Sequence, residues 1–406
     1  MNRAKILSLT IALLSLFSFS ASAGQKIVSF NPTVGAQDRV KNIESLGGKV
    51  VREFHIINAL VADFPNDIKD ASINSLYGVA EVEDDEYLKW IEEAPLPLPL
   101  SSVEAALKQI TSVDYKILDS LPIPTEPKIA DEEKEIPWGI KRVNASAAWP
   151  VVTGEGVKVA VIDTGIDYAH PDLHDNYAGG YNVIVSTALP LDDHGHGTHV
   201  AGIIAAIRDF KGVVGVAPKA RIYGVKVLDN SGSGQISWII AGIEWAVDNK
   251  MKIINMSLGA SSAVDSFARA IAAADKAGVT IICAAGNTSG AVTYPAKYPQ
   301  SIAVSASDAS DKIASFSSRG SEIDFIAPGV SIYSTYYGSS YATMSGTSMA
   351  APHVAGLAAL AASLGANTPS KVKDSLAKAA VSLNLQASEQ GAGLIDAGKL
   401  INNMRR

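Results

Sequence analysis

The chain has 406 residues, 34 Lys and Arg against 41 Asp and Glu, a net charge of −7, and 47% hydrophobic against 18% charged residues. This composition excludes a mostly disordered chain, and net acidity without a long basic run argues against nucleic acid as the main partner. One cysteine, Cys283, excludes an internal disulfide framework, and the length allows two or three domains around one large core.

The charge divides the chain into three. Residues 1–23 carry +2, residues 24–132 carry ten basic and nineteen acidic side chains, and residues 133–406 carry 22 of each. The first segment has Arg3 and Lys5, an apolar run from Ile6 to Phe19, and small residues ending Ala21-Ser22-Ala23. That pattern predicts a secretory signal peptide cut after Ala23, and the run is short for a membrane anchor. No later apolar stretch is long enough to span a bilayer, so the expectation is a secreted protein without a membrane span.

Residues 24–91 read as one small unit. Lys26–Phe30, Lys49–His55, Ala59–Phe64 and Val79–Val82 have strand character, while Gln37–Leu46 and Asp67–Leu76 have helical character. The order βαββαβ predicts an α+β open sandwich. Residues 92–135 hold prolines at 95, 97, 99, 122, 124 and 127 around one helical stretch, and read as a linker or processing segment.

Residues 136–406 alternate strands and helices. The strands are Val157–Ile162, Ala220–Val227, Ile253–Met256, Val279–Ala284 and Ile302–Ser305. The helices are His196–Ile207, Ile236–Asn249, Asp265–Ala277 and Ser348–Leu364. Apolar strands between helices predict an α/β domain with a mainly parallel, doubly wound sheet. Chemistry in such a sheet gathers at the carboxyl ends of the strands.

Three segments supply that chemistry. Asp163 ends a strand in Val159-Ala-Val-Ile-Asp163-Thr-Gly165. His196 opens a helix in Asp192-Asp-His-Gly-His196-Gly-Thr-His199. Ser348 opens another in Met344-Ser-Gly-Thr-Ser348-Met-Ala-Ala-Pro352. A serine hydroxyl needs a base, histidine is the natural one, and a buried carboxylate fixes the imidazole tautomer. The Asn287 amide, in Ala284-Ala-Gly286-Asn287, is a candidate oxyanion donor, with the Ser348 backbone N–H as the second.

These motifs, in the order Asp163, His196, Ser348, resemble the subtilisin-like serine proteases over about residues 136–400. The resemblance implies Ser348 as nucleophile, His196 as general base and acid, Asp163 as its orienter and Asn287 as oxyanion donor. Residues 24–91 resemble the family's inhibitory propeptide, mainly through Ala59–Pro65 and Gly78–Glu86, with a product-like tail after Glu86 lying in the cleft until processing. By that analogy the tail ends near Ile91, whereas the mature start falls near Ile136, so processing in steps is expected. The whole implies a monomeric, self-processing zymogen acting on peptides and proteins.

The resemblance also puts Gly232-Ser233-Gly234 and Ser257-Leu258-Gly259 on two edges that bind substrate by strand addition, and Thr293 at the base of the main specificity pocket, narrowing it against large aromatics. It implies a structural calcium held by Asp172, Ile207, Asp209, Lys211 and Val213, the last four in one loop. A glutamine ligand of the family is missing, since Lys134 and Glu135 precede Pro137-Trp-Gly139.

Other readings compete. His194, His196 and His199 would suit zinc, but no H-E-x-x-H spacing follows. His199 and His353 read as helix residues against the core, Cys283 as a small buried hydrophobe and Met349 as packing. A catalytically silent subtilisin-fold binding protein, and an esterase or peptide ligase using the same serine, are the alternative functions.

Overall fold

The computed structural model describes residues 24–92 and 135–405. The leader expected over 1–23, and all but the two end residues of the linker expected over 92–135, lie outside them.

The first part runs β1 (Gln25–Phe30), α1 (Ala36–Ser45), β2 (Lys49–Phe54), β3 (Ala59–Asp63), α2 (Asp70–Asn74) and β4 (Val79–Asp84). Its strands form one antiparallel sheet in the order β2-β3-β1-β4. Strand alternation sends Val28, Phe30, Leu60 and Ala62 to one face, against Ile43 and Ile73 of the helices. Ile27, Phe54, Ala59 and Val61 go to the other face and join the core of the second part. A sheet apolar on both faces needs two covers, and its own helices supply only one. Helix α2 is shorter than the expected Asp67–Leu76, because the residues before it close a separate turn from Ile68 N–H to the Pro65 carbonyl. The acidic run leads into β5 (Tyr87–Lys89), which leaves the small sheet.

The second part opens with α3 (Trp138–Arg142), then β6 (Lys158–Asp163), β7 (Tyr177–Asn182), α4 (His196–Ala205), β8 (Arg221–Lys226), β9 (Ser233–Gln235) and α5 (Ile236–Asp248). It continues with β10 (Ile253–Met256), α6 (Asp265–Lys276), β11 (Thr280–Ala284), β12 (Ser301–Ser307), β13 (Ile323–Pro328), β14 (Ile332–Tyr336), β15 (Ser340–Met344) and α7 (Thr347–Ser363). After α8 (Pro369–Ala379), β16 (Ala380–Val381) and β17 (Leu394–Ile395) complete the main sheet. Its order is β16-β17-β13-β12-β11-β10-β6-β8-β7, parallel throughout except for β16 against β17.

The expected α/β architecture is present, and the pleat explains its two cores. Val159 and Val161 of β6 face a cluster with Val200 and Ile204 of α4 and Val354 and Leu357 of α7. Ala160 and Ile162 face the opposite cluster, with Ile239 and Ile243 of α5 and Phe267 and Ile271 of α6. Cys283 lies in this second cluster, fully buried, and burial pushes its thiol up to about 12.

Candidate active site

Asp163 is the last residue of β6, and Gly165 turns the chain at φ +106°. A Cβ at Gly165 would lie 2.7 Å from the Pro190 carbonyl oxygen, so the turn admits only glycine. His196 is the first residue of α4, after Gly195 at φ +102°. Its Nδ1 lies 2.8 and 3.0 Å from the two Asp163 carboxylate oxygens, and both side chains are buried. Asp163 Oδ1 also accepts the Thr164 N–H at 2.7 Å. The carboxylate thereby fixes Nδ1 as the protonated nitrogen, leaving Nε2 as the free base.

Ser348 stands in the first turn of α7, 7% exposed. Its Oγ donates to the Ser257 carbonyl at 3.0 Å, and Ser257 Oγ donates back to the Ser348 carbonyl at 2.8 Å. His196 Nε2 is buried without a hydrogen-bond partner. The two groups are therefore not bonded to each other, and the serine hydroxyl must turn from Ser257 before Nε2 can take its proton.

Asn287 follows β11 on the same side of the sheet. Its Oδ1 accepts the Thr347 N–H at 2.9 Å and the Thr347 hydroxyl at 3.0 Å. This pins the amide and aims Nδ2 into the cleft, where it donates to the Glu92 carbonyl at 3.0 Å. That carbonyl belongs to the tail that continues from β5. β5 runs antiparallel to β9, with Leu88 opposite Gly234 and Lys89 opposite Ser233. Trp90 and Ile91 both donate N–H to the Gly232 carbonyl, at 3.0 and 3.2 Å, and Gly259 N–H donates to the Trp90 carbonyl at 3.0 Å.

The residues expected to bind substrate thus separate into three kinds. Gly232, Ser233, Gly234 and Gly259 touch the tail through their backbones. Leu258 and Thr293 line a small pocket beside Glu92. Ser257 is fully buried, and its hydroxyl and carbonyl engage Ser348.

The expected calcium residues gather at one loop. The Ile207 N–H donates to the Asp172 carbonyl, and Val213 N–H and the Tyr341 hydroxyl donate to Asp172 Oδ2 at 2.8 and 2.9 Å. Glu135 Oε1 accepts the N–H groups of Asp209 and Phe210 at 2.9 and 3.0 Å. Burial raises the Glu135 and Asp172 carboxyls above their ordinary range, and the Asp209 charge adds to both. Lys211 is exposed on the loop. Among the described residues no three acidic, His or Cys side chains form a metal centre by themselves.

His199 and His353 have structural partners. His199 Nε2 faces the Ile332 and Ala342 carbonyls at 3.1 Å each, and burial lowers its pKa to about 3. His353 Nδ1 faces the Met349 carbonyl at 2.8 Å, and burial lowers it to about 4.

Three residues given no role by the sequence reading support the site. Asp192 Oδ1 accepts from Thr164 Oγ1, His194 N–H and Gly195 N–H, while Oδ2 accepts both donors of Thr198. It thereby satisfies N-terminal donors of α4 and ties that helix to the Asp163 turn. Lys226, beside Asp163 in the sheet, donates to the Thr164 and Leu228 carbonyls and to Asp193. Thr347 orients Asn287. The spacing Asp192-x-x-x-His196 was the available signal for the first, and the others carry none that is local.

A profile of the Subtilase family matches residues 154–393. The chain is 40% identical to Subtilisin E of Bacillus subtilis (strain 168) over 389 residues, 93% of this chain and 90% of that protein. It is 48% identical to a Subtilisin of Bacillus pumilus over 271 residues, 65% of this chain and 98% of that protein. It is 46% identical to M-protease of Shouchella clausii (strain KSM-K16) over 265 residues, 65% of this chain and 69% of that protein.

Proposed function

The chain belongs to the subtilase family and is a serine endopeptidase, and from that premise we propose that it is a secreted, self-processing zymogen whose Asp163, His196 and Ser348 cleave peptide bonds through an acyl-enzyme. The observation that carries this reading is the Glu92 carbonyl, 3.0 Å from Asn287 Nδ2 at the end of a tail paired along β9. An oxyanion donor belongs 2.7–3.1 Å from the reacting oxygen. Glu92 therefore occupies the position of the acyl residue, and the bond to Glu93 is the one cut.

In this reading Ser348 Oγ attacks the carbonyl carbon and its proton passes to His196 Nε2. Asp163 stabilises the imidazolium, and Asn287 Nδ2 with the Ser348 N–H holds the oxyanion. The imidazolium then protonates the departing amine, and water repeats the sequence on the ester. Residues 24–92 fold as the inhibitor, and residues 1–23 act as the leader in export. Among the described residues no helix is long and apolar enough to cross a membrane.

A calcium ion fits the donor chemistry of the 207–213 loop. The carboxyls of Glu135 and Asp172, each raised by burial and by the Asp209 charge, would be relieved by a cation, and main-chain carbonyls of Ile207, Lys211 and Val213 would complete its ligands. Its contribution would be structural, fixing the loop.

The test is expression of the full chain beside Ser348→Ala. The wild type is expected to react with a fluorophosphonate probe and to yield a fragment beginning at Glu93. Ser348→Ala is expected to do neither and to accumulate as precursor. Equal labelling and equal processing of both would end the protease reading and leave the silent binding protein.

A further inference from the structure

Asp192 and Asp193 are neighbours in the chain with different partners. Asp192 is occupied by neutral donors at the start of α4. Asp193 meets a cation, and its Oδ1 accepts from Lys226 Nζ at 2.7 Å. The two ends of this pair are unlike. The Asp193 side chain is 53% exposed, whereas that of Lys226 is 7% exposed. A buried ammonium is costly unless its donors are met. Here its three hydrogens have three oxygens, Asp193 Oδ1, the Thr164 carbonyl at 2.7 Å and the Leu228 carbonyl at 2.8 Å.

Those oxygens lie on the segments that carry the acid and the base. Thr164 follows Asp163 directly, and Asp193 stands three residues before His196. Lys226 itself is opposite Asp163 in the sheet. The turn after it also reaches Asp163, because the N–H groups of Val227 and Leu228 donate to the Asp163 carbonyl at 2.9 and 3.2 Å. Two successive carbonyls, of Asp163 and Thr164, are therefore held from the end of β8. The same ammonium reaches across to the loop before α4. A second, neutral tie runs through Thr164 Oγ1, which donates to Asp192 and accepts the Gly197 N–H. Loss of the ion pair therefore loosens the arrangement without abolishing it.

We propose that Lys226 and Asp193 are positioning residues for catalysis, whose ion pair fixes the Asp163 turn against the loop of His196 and so aligns the imidazole that takes the Ser348 proton. This rests on the reading of Asp163, His196 and Ser348 as the catalytic groups. Among the described residues, the partners of the ammonium are all on the enzyme and none is on the tail in the cleft. The effect therefore falls on kcat rather than on KM. It falls on formation and hydrolysis of the acyl-enzyme alike, since His196 moves a proton in both.

The test uses the full chain after its own processing, with active sites counted by fluorophosphonate, so that unfolded protein is not read as slow enzyme. Asp193→Ala removes the acceptor at the exposed end of the pair, and Asp193→Asn keeps an oxygen there. Glu155→Ala is the control, since it breaks an exposed pair with Lys219 at 3.6 Å. Asp193→Ala is expected to lower kcat per titrated site at least about fivefold, with KM changed less than about twofold. Inactivation by fluorophosphonate, which also needs the serine proton removed, is expected to slow by a similar factor. Asp193→Asn is expected to recover most of the loss, and Lys226→Met to fall at least as far as Asp193→Ala. The control is expected to match the wild type. Should Lys226→Met yield no titratable sites, the two Asp193 variants decide alone. Asp193→Ala with wild-type kcat per site, whatever its melting temperature, overturns the proposal, as does a change confined to KM or an Asn variant as slow as the Ala variant. Equal labelling of the wild type and Ser348→Ala would instead sink the catalytic reading on which the proposal rests.

Discussion

Asn287 has two demands on one amide. Its oxygen is held by Thr347 and its nitrogen faces the Glu92 carbonyl. Because that donor is aimed before substrate arrives, its value is realised mainly in the transition state. Asn287→Ala is expected to lower kcat by about 10²–10³ with little change in KM, a range measured on a subtilisin. Steady-state kinetics on a peptide substrate checks this, and a change confined to KM would show that the amide only binds. Asp163, His196, Ser348 and Asn287 were legible as candidates because each stands in a short motif at a strand or helix end. Thr347, Asp192 and Lys226 were not, because what they do is set by partners such as Asn287 and Thr164, 60 and 28 positions away or across the sheet. The serine's actual partner was equally illegible. The motif says that Ser348 and His196 cooperate, but not that the hydroxyl rests on Ser257.

At the scale of elements, sequence reading succeeded where periodicity and burial agree. The strand Ile253–Met256 has the expected bounds, and α5 and α6 differ from expectation by one residue at the end. Strands β7 and β15 escaped because Tyr177–Asn182 and Ser340–Met344 are rich in Gly, Ser and Tyr and only partly buried. Their place comes from neighbours, not from alternation. The loop 207–213 likewise has no pattern of its own and is shaped by Glu135 and Asp172. Both carboxyls are raised by burial, so the stability they contribute is full below the ordinary carboxylate range and is lost as pH rises. Calcium would take the proton's place above that range. Millimolar calcium is expected to raise the melting temperature by several degrees at neutral pH, and excess chelator to reverse it. Glu135→Gln is expected to shrink that rise while stabilising the metal-free protein. A melting temperature indifferent to calcium and chelator would remove the cation from the loop.

At the scale of the molecule, the charge asymmetry acquires a location. The acidic first part meets the neutral second part through carboxylates at helix starts. Glu83 accepts the N–H groups of Asp265 and Ser266 at the start of α6, and Asp85 Oδ1 accepts the Ser237 N–H at the start of α5. Arg269 pairs with Glu81, and His55 with Glu244 and Asp248. Asp85 is 6% exposed and its Oδ2 has no partner. Burial, only partly offset by Ser237 and by the Arg52 charge, pushes its carboxyl up to about 6, while Asp63 adds to the rise. Burial also raises Glu81 and Glu244. A carboxyl that holds its proton more firmly in the complex than when free contributes affinity that is full below its ordinary value of about 3.9 and is lost as pH rises through about 6. The cleaved first part is therefore expected to be held more tightly at pH 5 than at pH 7.5, with affinity falling by about tenfold between them. Asp85→Asn keeps the neutral form at every pH and is expected to slow the appearance of activity at pH 7.5. Gel filtration of the processed full chain at the two pH values measures how much of the first part co-elutes. Tighter retention at pH 7.5 than at pH 5, or no effect of Asp85→Asn, would show that the orphaned carboxylate does not control release.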